Sequence, residues 1–213
     1  MEILIIIIIL SQKNMENIIQ QSQQYVIRRR DDRQRLDRIA PNAKHIRIIG
    51  RTLQQVLMNY SEYFLERLKD RGKVELLFTH YELYQYMLAE HGTDHLSDLS
   101  SALSSIISIK DRMEKNRYKG QLEIRFIKYV PSLSFVAIDM DKRNGILIVE
   151  PVPPYLAPAQ RPNILLNPNS PIREEQDLFK DFKKVINDMW KNAEPIHDVK
   201  SFKKELDIWR GRI

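Results

Sequence analysis

Between His45 and Thr79 the spacing of apolar positions changes period twice. His45–Ile49 is a β-branched run that ends at Gly50. From Thr52 to Asp70, Leu53, Val56, Leu57, Tyr60, Phe64, Leu65 and Leu68 recur at helical intervals. Arg71-Gly72 closes that stretch, with glycine expected to take the left-handed cap position. Lys73–Thr79 then has a nearly continuous apolar centre, as a strand covered on both faces requires. Strand, helix, strand is a βαβ unit, and it predicts a parallel sheet with helices on its faces.

The flanking patterns extend this reading. Residues from Ser11 to Ile39 predict a helix with loosely spaced apolar positions, stopped by Pro41. Tyr81 to Tyr118 reads as mainly helical and broken near Gly92, with Leu96, Leu99, Leu103, Ile106 and Met113 on one face. Strands are predicted at Leu122–Val130, Phe135–Asp139 and Ile146–Glu150, the last two joined by the hairpin signal Asn144-Gly145. A proline-rich loop from Pro151 to Pro162 leads to a short strand, Ile164–Leu166. Two helices follow, Glu174–Asn192 and Val199–Trp209, and their Trp190 and Trp209 are assigned to the core. The expected organisation is one α/β domain over residues 41–213, preceded by a segment over 1–40.

Composition and charge narrow the classes. The 213 residues suit one sizeable domain. Cysteine is absent, which removes disulfides, thiol catalysis and thiolate metal sites and agrees with a cytoplasmic location. The net charge of +6 is concentrated between Arg28 and Arg47, where eight basic residues face three aspartates. Arg28, Arg29, Arg30 and Arg33 are therefore the candidates for contact with nucleic acid, against the plainer reading of a solvated helix face. The apolar run Ile3–Leu10 is too short for a membrane span of about 20 residues. It reads as a buried strand, or as an artefact of translation starting at Met15, with a peripheral membrane anchor as the lesser alternative. Neither a glycine-rich phosphate loop nor GxSxG or HExxH occurs.

Four stretches resemble one half of the phospholipase D superfamily. They are Ile48-Ile49-Gly50-Arg51-Thr52, Arg71-Gly72-Lys73-Val74-Glu75-Leu76-Leu77, the segment Ser132 to Asp139, and Gly145-Ile146-Leu147-Ile148-Val149-Glu150. Glu150-Pro151 and Met189-Trp190 are similar to features of an uncharacterised bacterial branch. The superfamily signature is His-x-Lys-x4-Asp. Its Asp falls on Asp139, its Lys on Ser134 and its His on Ser132. The resemblance implies a phospholipase D-like α/β/α sandwich with a mostly parallel mixed sheet, an added N-terminal helix and a homodimeric assembly. It also implies lost phosphodiesterase chemistry, since a serine needs a neighbouring base to act as a nucleophile. A serine in place of the lysine also holds phosphate through a neutral hydrogen bond only.

Arg51, Thr52, Ser132, Ser134 and Arg161 are the candidate ligand-binding residues, because a helix opening after a strand points N–H groups at an anion. Asp139 and Glu150 lie on adjacent predicted strands and are the candidates for acid–base work at a shared edge. His91 and His95 have metal-ligand spacing without an evident third ligand, so no metal and no cofactor are assigned. The function expected is a non-catalytic binding or sensor domain for a phosphorylated small molecule or nucleotide. The alternatives are a divergent phosphodiesterase or nuclease active as a dimer, and a nucleic-acid-binding protein using Arg28–Arg47.

Overall fold

The computed structural model describes residues 28–29, 35–91, 94–152 and 161–211. In chain order its elements are β1 (Arg28–Arg29), α1 (Leu36–Ile39), β2 (His45–Ile49), α2 (Gln54–Lys69), β3 (Lys73–Thr79), a 3₁₀ turn (Tyr81–Leu83) and α3 (Tyr84–His91). Then come α4 (His95–Asn116), β4 (Gln121–Ile127), β5 (Leu133–Ile138), β6 (Ile146–Pro151), β7 (Pro162–Leu166), α5 (Arg173–Lys191), β8 (Glu194–Pro195) and α6 (Val199–Arg210). β2 and β3 fall on the residues that the apolar pattern marks.

The strands form one mixed sheet in the order β1-β7-β6-β5-β2-β3-β4-β8. Side chains alternate across it. Ile46, Ile48, Leu76, Phe78 and Val136 face a larger core shared with α2, α4 and α6. Ile49, Leu77, Phe135 and Val149 face a smaller core closed by α5 through Phe179, Ile186, Met189 and Trp190. β3 is apolar toward the larger core through Val74, Leu76 and Phe78, and meets the smaller layer with Leu77 beside the buried Glu75 and Thr79. The chain is thus an α/β protein with helices on both faces of the sheet. Leu36 of α1 is fully buried in the larger core, so the chain packs with the domain from there onward.

The expectation of a mostly parallel sheet is overturned. Among the described strands only β2–β3 and β3–β4 pair in parallel. The other five pairings are antiparallel. A parallel pair needs a crossover of a dozen or more residues, whereas strands joined by a tight turn can only run antiparallel. α2 supplies the first crossover and α3–α4 the second. The seven residues from Asp139 to Gly145 between β5 and β6 leave room for a hairpin alone.

Arg28–Arg29 is also corrected, from helix to a short strand paired with Asn163 and Pro162 of β7. Residues 1–27 and 30–34, including Ile3–Leu10, lie outside the described residues. Among the described residues, no helix is long and apolar enough to cross a membrane. After α2 the left-handed position falls on Arg71, with φ 60°, and not on the glycine that follows it. Gly72 is needed for another reason. A Cβ there would lie 2.7 Å from the carbonyl oxygen of Arg67.

Candidate anion-binding site

β2 ends at the centre of the sheet, where the antiparallel half meets the parallel half, and the chain there turns into α2 through Gly50-Arg51-Thr52-Leu53. The turn is pinned by backbone bonds. The Gly50 N–H donates to the Leu77 carbonyl at 3.0 Å, and the Arg51 carbonyl accepts from the Thr79 N–H at 3.1 Å. The Tyr84 hydroxyl also donates to that carbonyl, at 2.6 Å. Tyr84 is wholly buried, and burial pushes its phenol far above the ordinary value, so it remains a neutral donor.

Leu53 enters α2 with φ 60°, the left-handed region that costs a branched side chain of order 1–3 kcal/mol. No side chain caps the N-terminus of this helix. Serine or aspartate at the N-cap, the usual solution, is replaced by an apolar residue in a strained conformation. Gly50 permits that arrangement, because a Cβ on it would stand 2.8 Å from Leu53 Cδ2.

A cavity of about 120 Å³ opens at this helix N-terminus. Arg51, Thr52, Gln54 and Gln55 form one wall, Ser134 and Glu150 another, and Arg161 with Asn163 a third. His95 and Asp98, from the first turn of α4, close a fourth side. Ser134 and Glu150 stand directly opposite each other in the β5–β6 register. Arg161 Nη1 lies 3.6 Å from Glu150 Oε1 in a pair whose side chains are 18% and 9% exposed. The Asn163 amide donates to the Arg161 carbonyl at 3.2 Å and so helps fix the approach to β7. Burial, with the Asp94 charge adding to it, raises the Asp98 carboxyl above its usual value. The lining therefore combines two arginines and an uncapped helix N-terminus with two acidic residues, Glu150 and Asp98.

Of the sequence-predicted residues, Arg51, Thr52, Ser134 and Arg161 converge on this one cavity, and Glu150 joins them. Ser132 does not. It precedes the first residue of β5, is exposed, and contributes only its carbonyl, which accepts from the Val152 N–H at 2.9 Å. Asp139 does not either. β5 and β6 run antiparallel, with Ser134 opposite Glu150 and Ile138 opposite Ile146, so Asp139 lies at the far end of the pair. There its carboxylate accepts from the N–H groups of Lys44 and His45 and pairs with Lys142. The shared edge expected for Asp139 and Glu150 is thus corrected. Arg28 pairs with the cavity residue Asn163 through β1, while Arg30 and Arg33 lie outside the described residues.

His95, Asp98 and Asn163 are members of the wall that sequence reasoning missed. The signal for the first two is an aspartate N-cap, Asp94, immediately before a His-x-x-Asp first turn. A second charged centre was also missed. Glu75, 1% exposed, receives His45 Nε2 at 2.6 Å, Arg47 Nε at 2.5 Å and Lys73 Nζ at 2.7 Å. Arg47 and Arg125 both approach Trp190, with their guanidinium carbons 4.9 and 4.6 Å from its ring centre. A glutamate inside an otherwise apolar strand was its sequence signal. Among the described residues, no group of three or more histidines and carboxylates is placed to hold a metal ion.

No family model matches the sequence, and no curated protein matches it. Among solved structures it is similar to that of TrmBL2, an archaeal chromatin protein described as showing a novel mode of DNA binding. The identity is 13% and the TM-score 0.48, over 89% of this chain and 64% of that one. The chain therefore spans just under two thirds of that structure's length. A likeness of that degree transfers no function.

Proposed function

We propose that this chain is a non-catalytic ligand-binding domain of the phospholipase D-like type, holding the phosphorylated end of a small molecule in the cavity at the N-terminus of α2. One observation carries the reading: four residues chosen from sequence, Arg51, Thr52, Ser134 and Arg161, line a single cavity. Each suits a phosphate. The two guanidinium groups offer charge-assisted hydrogen bonds, and the two hydroxyls and the first N–H groups of α2 complete the donor set. The size narrows the ligand. Pockets that enclose a drug-sized molecule run to about 300–1,000 Å³, whereas this one, at about 120 Å³, fits a phosphate group with little more. A nucleotide would therefore enter by its phosphate end, with the remainder at the mouth.

The test is isothermal titration calorimetry with inorganic phosphate, sulfate and a phosphate monoester such as glycerol phosphate. Wild-type protein is expected to bind phosphate, and Arg51→Ala to weaken it roughly tenfold or more, the loss of one charged hydrogen bond. Equal affinity in both proteins, with the fold intact, overturns the reading. Light scattering of the same sample tests the homodimer that the proposed fold type carries with it.

A divergent phosphodiesterase is the second reading, because Ser134, Glu150 and His95 line the same cavity. Hydrolysis of bis-p-nitrophenyl phosphate that is lost in Ser134→Ala and Glu150→Gln, but not in Asp139→Asn, would favour it over simple binding.

A further inference from the structure

The C-terminal helix α6 rests on a histidine. His80, directly after β3, is 12% exposed at its side chain and sits under Phe202 of α6. Its ring stacks on Tyr81 with centroids 4.3 Å apart, lies 4.5 Å from Phe126, and meets Phe202 edge-on at 5.8 Å. Phe202 in turn contacts Tyr81 at 5.4 Å and Phe126 at 5.6 Å, and Trp209 closes on Tyr81 at 5.6 Å. α6 is thus held by an aromatic box with an imidazole as its floor. The polar bonds that join α6 to α4 and its N-cap, Arg210 to Asp94, Ser100 to Asp207 and Lys200 to Asp111, are solvent-exposed and add little.

We propose that His80 is a pH-responsive pin: α6 docks firmly while the imidazole is neutral and loosens when it takes a proton. A cation in that box loses its water, and against that loss stand the attraction of the surrounding ring faces and one nearby carboxylate, Glu82, whose Oε2 is 3.4 Å from Nδ1 and which is itself exposed. Glu194 of β8 and Glu205 of α6 face the ring more distantly and favour its charge, while Lys128, just past β4, opposes it. Burial outweighs these and lowers the pKa below the ordinary histidine value. The sign follows. When the helix opens, the ring regains its usual pKa near 6.5, so between that value and the lower docked one the open form binds more protons. Docking is strongest above about pH 7 and weakens as pH falls through that window.

The experiment is hydrogen exchange of α6 amides by NMR between pH 7.5 and 5.0, corrected for intrinsic rates, alongside titration of the His80 imidazole carbons. In wild-type protein, protection of Phe202, Leu206 and their neighbours is expected to fall about threefold or more, with the midpoint of His80 itself. In His80→Phe it is expected to be independent of pH over the same range. The proposal fails if α6 protection does not change, if it follows a different midpoint, or if His80→Phe keeps the wild-type dependence. Should His80→Phe not fold, agreement or disagreement of the two midpoints in wild-type protein decides alone.

Discussion

The backbone N–H of His45 donates a hydrogen bond to the Asp139 carboxylate at 3.0 Å, fastening the first residue of β2 to the end of β5. The same carboxylate accepts from the Lys44 N–H at 3.2 Å, and Asp139 itself occupies the left-handed region with φ 46°. An aspartate is suited to both tasks, being an acceptor that tolerates that conformation better than most residues. Asp139→Ala is expected to cost about 2–3 kcal/mol of stability by orphaning two backbone donors and straining the turn. Asp139→Asn should cost less. Urea denaturation measures both, and phosphate affinity is expected to be unchanged in either, since the cavity is at the other end of β5.

Glu150 offers a test of sign. It is the carboxylate closest to Arg161 in the cavity wall, so it repels any anion that binds there. Glu150→Gln is expected to tighten phosphate binding by about 1 kcal/mol, roughly fivefold, in calorimetry at low salt. Weaker binding would mean instead that Glu150 serves chiefly to orient Arg161.

The buried Glu75 sets a pH dependence of its own. Burial opposes its ionisation, but hydrogen bonds from His45, Arg47 and Lys73, with the Arg47 charge, more than offset that and hold the carboxyl at about 2. A carboxylate depressed in the folded state stabilises above its unfolded pKa, near 4.5 here, and that contribution is lost as pH falls toward 2. The amount is roughly 3 kcal/mol. Unfolding free energy should therefore decline between pH 4.5 and 2 in wild-type protein and much less in Glu75→Gln. At neutral pH that variant is expected to lose about 3–5 kcal/mol, because Arg47 is left buried without a counter-charge, bonded only to neutral groups such as Asn187 Oδ1.

Gly50→Ala probes the strained turn. The added methyl would push against Leu53 Cδ2 at 2.8 Å, the far end of a flexible side chain. Stability is expected to fall by about 1 kcal/mol or less, while phosphate binding drops sharply as Leu53 shifts toward the cavity. Thermal shift with and without phosphate separates the two effects.

The local elements were legible because their patterns are local. The β-branched run of β2, the apolar run of β3 and the helical period of α2 need no distant partner to be recognised. Arg51 and Thr52 could be placed at a sheet edge for the same reason: they directly follow a strand and open a helix. The separation of Asp139 from Glu150 was legible too: the hairpin signal Asn144-Gly145 makes their strands antiparallel, and an antiparallel pair sends its strand ends in opposite directions, against the expectation of a shared edge. β1 and β8, at two residues each, are too short to show any period. His95 and Asp98 reach the cavity through the packing of α4, which leaves no trace in the residues around Gly50.

Those two shortest strands have a consequence for how copies of the chain can meet. The described sheet is bounded by Arg28–Arg29 on one side and Glu194–Pro195 on the other. Each offers a row of unpaired amides only two residues long, and Pro195 has no N–H to offer. Among the described residues, the outermost strands are thus short templates for edge-to-edge pairing, and on the β8 side the stretch Gln121–Glu123 of β4 extends beyond the residues that β8 pairs.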